Sequence, residues 1–354
     1  MKPSSLGAAW TVISLAALAV ASSSAHAGQF YRLESTLMIE SPNPPNWDYL
    51  AFDPTRAYVY IARREDGVLI YDTSAGKILG AIENTSGGNA TTLVPELDRA
   101  FVTNEDGTLT IVQLSKLKSL GRFKVGGSAD NAFYDAVTGQ LLVTQGDDRQ
   151  AVFVDPRTAK VLNTLRVESE SLEGTVADGH GNFFMALRDR NKVIKIDARQ
   201  RRQVAEFAPE GCELPNAMAF DAANERLLVT CRGERPILAV MDTAGHTLSR
   251  TPIGRGNDAM VFDPQERRVY TANGVDGNLV ILDQVDADHY KLAEALTTRP
   301  YARTMALDPK TKKVYLVSAE GTVDPSRKWK ESVAPFYPNT YFHNTFTLLT
   351  YSRK

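Results

Sequence analysis

Seven times along this chain an apolar run ends in an acidic residue and a tight turn, and a second apolar run follows. The acids are Asp53, Glu96, Asp135, Asp178, Asp221, Asp263 and Asp308, spaced by 43, 39, 43, 43, 42 and 45 residues. A period of this size marks a repeat array, in which each unit covers the apolar face of the next. Within a unit, short β-branched and aromatic runs alternate with Asp, Pro and Gly. In the first unit Tyr-Val-Tyr-Ile-Ala (58–62) and Val-Leu-Ile-Tyr-Asp (68–72) are strands, and Asp66-Gly67 is the hairpin between them. Asp53-Pro54 stops the preceding strand, because proline donates no ladder hydrogen bond. Four strands per unit and seven units predict an all-β, seven-bladed propeller.

The seventh unit lacks a fourth strand, because the chain ends after Thr-Phe-Thr-Leu-Leu-Thr-Tyr (345–351). The run from Tyr31 to Ile39 is free to take that place. Pairing the two ends in one blade would close the ring and remove its open edges.

The segment before the repeat reads as an export signal. Lys2 precedes an apolar stretch at 6–20, and Ala25-His26-Ala27 is a small-x-small cleavage site. The expected mature chain, residues 28–354, is one propeller domain in the periplasm or outside the cell. No later stretch is long and apolar enough to span a bilayer. The net charge of −2 becomes −3 without Lys2, which argues against nucleic acid as a partner. In an oxidising compartment Cys212 and Cys231, the two cysteines, read as a disulfide. The chain is expected to be monomeric.

Several stretches carry a family resemblance. Val-Tyr-Thr-Ala-Asn (269–273) and Phe-Val-Thr-Asn (101–104) resemble the repeat that names the YVTN β-propeller family. Trp47 to Phe52, Glu213-Leu-Pro-Asn with its flanking cysteines, and Ala302 to Thr311 resemble its secreted, YncE-like branch. The resemblance implies the propeller fold, export, and a binding or scaffolding role. It departs at Gly88-Asn89-Ala90-Thr91, where many members resemble Gly-Val-His-Gly.

In a propeller the first strand of each blade lines the axis. Five residues before each anchor acid stand Asp48, Thr91, Asp130, Glu173, Asn216, Asp258 and Arg303, with Ala90 the alternative in unit two. This predicts a central mouth with four carboxylates and one arginine. Arg303 falls between Asp258 and Asp48 in ring order and is expected to neutralise both, leaving Asp130 and Glu173 as an uncompensated pair. Clustered like charges attract protons, cations or cationic partners.

The leading functional reading is a periplasmic protein that presents this mouth to a partner or small ligand. No catalytic constellation emerges: there is no nucleophile elbow, zinc-type histidine set, haem attachment or phosphate loop. Only His343 is placed to reach the mouth. The alternative is a lactonase-like hydrolase, with Glu173, Asn216 and Asp258 on a divalent cation such as Ca²⁺ and Asp130 as base. A further alternative is a partner subunit of a periplasmic redox enzyme.

One long irregularity falls in unit seven, at about 321–344. It carries Arg327, Lys328, Trp329, Lys330, Phe336, Tyr337, Tyr341 and Phe342. Aromatic residues beside basic ones suit a lid over the mouth or a partner surface.

Overall fold

The computed structural model describes residues 30–327 and 338–353. Seven four-stranded antiparallel sheets form the blades of a propeller. Blade one contains strands Leu50–Asp53, Tyr58–Ala62, Val68–Asp72 and Lys77–Ala81, from the axis outward. Blades two to six repeat this order, with innermost strands Gly88–Val94, Asn131–Asp135, Leu172–Ala177, Pro215–Asp221 and Asn257–Asp263. Blade seven runs Met305–Leu307, Val314–Ser318, Thr347–Arg353 and then Tyr31–Met38. The ring thus closes as the sequence predicts, with the first described strand at the outer edge of the last blade.

The alternation of side chains explains why the middle strands are apolar on both faces. Val59 and Ile61 pack toward blade seven, whereas Tyr60 and Ala62 pack toward blade two. Each of the seven blade interfaces holds one such buried cluster. Outermost strands are mostly exposed, as in Lys77–Ala81 and Val161–Arg166. A middle strand is therefore covered by its neighbours on both sides, and its sequence has no polar face to give up.

Six of the seven anchor acids are buried turn staples. Asp53 accepts from the N–H groups of Thr55 at 2.8 Å and Arg56 at 3.2 Å. Asp135, Asp178, Asp221, Asp263 and Asp308 hold their own turns the same way. The residue before the second strand is left-handed in blades one to six, including Ala57, Asp98, Glu225 and Arg267, and in blade seven Lys312, two residues before Val314, is left-handed. Such a residue costs stability unless its surroundings fix it, and the capping carboxylate does so. Unit two differs. Glu96 is exposed on a 3-10 turn, Pro95–Leu97, and Asp98 reaches instead to Ser115 N–H at 2.7 Å. Val94 pairs with Arg99 as Asp53 pairs with Tyr58, so Val94 is the true counterpart of the anchors.

Among the described residues, no helix is long and apolar enough to cross a membrane. The proposed signal at 1–27 lies outside the described residues.

Candidate functional site

The first strands enter the axial opening at one end and leave there a cavity of about 710 Å³. Asp48, Asp130, Glu173, Asp258 and Arg303 line it, as their place five residues before each anchor requires. The corrected register puts Asn89 at the mouth in blade two, in place of Thr91 or Ala90. Asn89 donates to Ala129 O at 2.8 Å and accepts from Arg64. Asn216 is buried beside the cavity, where its carbonyl accepts from Arg188 and Arg232, each at 3.3 Å.

Those arginines change the electrostatics expected of the mouth. Arg64, Arg188 and Arg232 each lie within two residues of the end of their blade's second strand and turn inward to the cavity. Arg64 pairs with Asp48 at 2.5 Å and with Glu105 at 2.8 Å. Arg188 pairs with Glu173 at 2.9 Å. Arg232 and Arg303 approach the two oxygens of Asp258, at 3.0 and 2.9 Å. Glu173 is therefore compensated, contrary to the expected acid pair. Arg303 binds Asp258 directly, while the direct partner of Asp48 is Arg64. Arg303 also donates to Trp47 O at 2.8 Å and lies 4.9 Å from the Trp47 ring centroid, a cation–π contact. The sequence signal for these arginines was a second step, forward from each anchor to the end of the second strand.

Burial and pairing act oppositely on the carboxylates. Burial raises Asp48 from its ordinary 3.8 to about 6, although Arg64 opposes it. Burial likewise raises Glu173 against Arg188. At Asp258 burial also favours the neutral acid, but Arg232, Arg303 and Arg188 together outweigh it and the group is lowered. Burial pushes the Tyr49 phenol well up, helped by Asp258, Asp48 and Glu173, which belong to three blades. Its ring stands among them on the cavity wall. Asp130 accepts from Gly146 N–H at 3.1 Å. A side chain at Gly146 would collide with Glu170 O, so only glycine allows this approach.

The proposed cation ligands do not fit a metal. Both oxygens of Asp258 receive arginine, Glu173 receives Arg188, and the Asn216 oxygen faces two guanidinium groups. A divalent ion there would sit beside three fixed positive charges. Among the described residues, no group of three or more His, Cys, Asp or Glu stands at ligand spacing.

Two covalent or ribbon features frame the mouth. Cys212 and Cys231 form a disulfide, with Cα atoms 5.2 Å apart. It ties the approach to the first strand of blade five to the end of the second, and Arg232 N–H donates to Leu214 O at 3.0 Å beside it. In blade seven, Gly321–Thr322 pairs with Thr340–Tyr341. Pro338, Asn339 and Tyr341 reach the cavity, and the Tyr341 ring lies 4.9 Å from Trp47. Phe342 and His343 are exposed, and Arg327 is an exposed residue paired to Asp324. Lys328, Trp329, Lys330, Phe336 and Tyr337 lie outside the described residues.

No protein-family model and no curated protein matches the chain. Solved propellers do. A hydrazine synthase structure from Kuenenia stuttgartiensis is 14% identical with a TM-score of 0.65, covering 78% of this chain and 94% of that one. A mitotic checkpoint complex chain is 13% identical at 0.68, covering 86% and 95%. The U3-55K structure is 10% identical at 0.66, covering 89% and 98%. The likeness is one of fold. A ring of seven blades is what this chain shares with them, and at such identity the likeness shows the fold alone.

Proposed function

We propose that this chain is an exported binding protein of the YncE-like YVTN type, whose mouth holds a small polar ligand. One observation carries the reading. Charged side chains from blades one, four, five, six and seven converge on one open cavity, and Arg232 is only 7% exposed there. Holding such groups out of water costs stability, and replacing them with apolar residues is often neutral or favourable. That cost supports reading the ring as a site rather than as packing. The cavity also has the size and the convergent polar groups of small-molecule pockets. The repeat motifs, the signal-like N-terminus and the disulfide agree with export.

The test is a melting experiment on residues 28–354 with a panel of sugars, inorganic anions, polyamines, amino acids and short peptides. A ligand at 100 times its Kd stabilises by about 2.7 kcal/mol. At least one class should raise Tm in the wild type and fail to do so in Arg232→Ala. A panel that shifts nothing, or shifts both proteins equally, overturns the reading.

A further inference from the structure

The charges around the mouth are not evenly spread. On the side of blades one to three the cavity is lined by Asp48, Glu105, Asp130, Asp147 and Glu170 against Arg64. On the side of blades four to seven it is lined by Arg188, Arg232 and Arg303 against Glu173 and Asp258. Among the lining side chains the first side carries a formal excess of four negative charges, reduced to three by Arg149, which pairs with Glu170 from outside the lining, and the second an excess of one positive. One cavity thus has two poles.

The positive pole is built to take an anion. Arg188 and Arg232 are fixed by a single oxygen of Asn216, which each approaches through Nη1 at 3.3 Å. Their carboxylate contacts, to Glu173 and Asp258, use the same Nη1 atoms. The Nε and Nη2 donors of both arginines make no hydrogen bond among the described residues, and they belong to side chains on the cavity wall. Two guanidinium edges set side by side match the oxygens of a carboxylate. At the other pole Asp147 is an exposed rim residue with no ion pair or hydrogen bond among the described residues. It stands near Asp130 and Glu170 on the same wall. This is the chemistry that receives an ammonium group.

We infer that the ligand is a zwitterion with separated charges, a short peptide with both ends unblocked, its carboxylate on Arg188 and Arg232 and its ammonium toward Asp130 and Asp147. This rests on the mouth being a binding site. An anion alone would meet the acidic wall, and a polyamine alone would meet the arginines. A zwitterion satisfies both poles and leaves the net charge of the mouth unchanged.

Calorimetric titration of residues 28–354 with di- and trialanine tests this. The comparison set is the same peptides N-acetylated, C-amidated or blocked at both ends, together with free alanine, acetate and putrescine. Unblocked peptide should bind, and blocking either end should weaken it at least tenfold. Arg232→Ala should lose the preference for a free carboxylate. Asp147→Asn, at the exposed rim where folding is not at stake, should lose part of the preference for a free amine. Equal binding of blocked and unblocked peptides, or no peptide binding, overturns the inference. If a sugar or inorganic anion binds at the mouth instead, the binding role survives and the zwitterion falls. If nothing binds there, both fall.

Discussion

Asp48 shows how a residue of the mouth can be read through pH. Folding favours its neutral form relative to the unfolded chain, because burial outweighs the pull of Arg64 and Arg303 and is aided by Asp258 and Asp130. The folded value of about 6 lies above the ordinary 3.8. The stability linked to this group is therefore complete below pH 4 and is lost as pH rises through 6. Asp48→Asn does not titrate. Relative to wild type it should gain on the order of 2–3 kcal/mol between pH 4 and pH 7.5, read from urea unfolding at both values. A pH-independent difference would contradict the buried placement. Asp258 predicts the opposite kind of effect. Asp258→Asn strands Arg232 and Arg303 and should cost about 3–5 kcal/mol at pH 7. The ring positions of Asp48, Asp130, Glu173, Asp258 and Arg303 were legible from the repeat, because a fixed step back from each anchor lands on equivalent backbone. Arg64, Arg188 and Arg232 are reached only by a second step, forward from the anchor to just past the second strand, where the other units carry Glu105, Gly146, Gly274 and Ala319, so the step repeats but the arginine does not.

At the scale of elements, the anchor turns and the disulfide make separable predictions. Asp53 is buried and caps two backbone N–H groups while pairing with Arg56 at 2.9 Å. Asp53→Ala should cost roughly 2–3 kcal/mol in chemical unfolding, the scale of charged hydrogen bonds left unmade. Glu96→Ala, on an exposed turn, should stay within about 0.5 kcal/mol. The sequence spacing treated the two as equivalent. The short interval of 39 residues before Asp135 was the sign that Glu96 was out of register. Reducing Cys212–Cys231 opens a loop of sequence separation 19 and should cost about 3 kcal/mol. It should also loosen Arg232, so ligand-dependent shifts in Tm should shrink with reductant. The disulfide was legible because the chain has two cysteines and reads as exported. The ribbon Gly321–Thr322 with Thr340–Tyr341 was not, since two-residue strands carry no pattern.

The molecule as a whole depends on closure. The strand Tyr31–Met38 completes blade seven, and Tyr31 O–H donates to Lys312 O at 2.8 Å while Lys313 pairs with Glu34 at 2.7 Å. A chain beginning at residue 40 leaves Thr347–Arg353 as an open edge. It should melt at least 10 °C lower or associate through that edge; an unchanged monomeric melt would contradict the closure. Fold was legible because seven units repeat one strand pattern, whereas the mouth consists of what differs between units, and differences have no period. Amide hydrogen exchange, with and without the ligand that raises Tm most, addresses the mouth directly. Protection should centre on Asp48, Arg64, Asn89, Asp130, Glu173, Arg188, Arg232, Asp258 and Arg303 and their neighbours. Protection confined to the outer strands or to the turns of the anchor acids would contradict a binding site at the mouth.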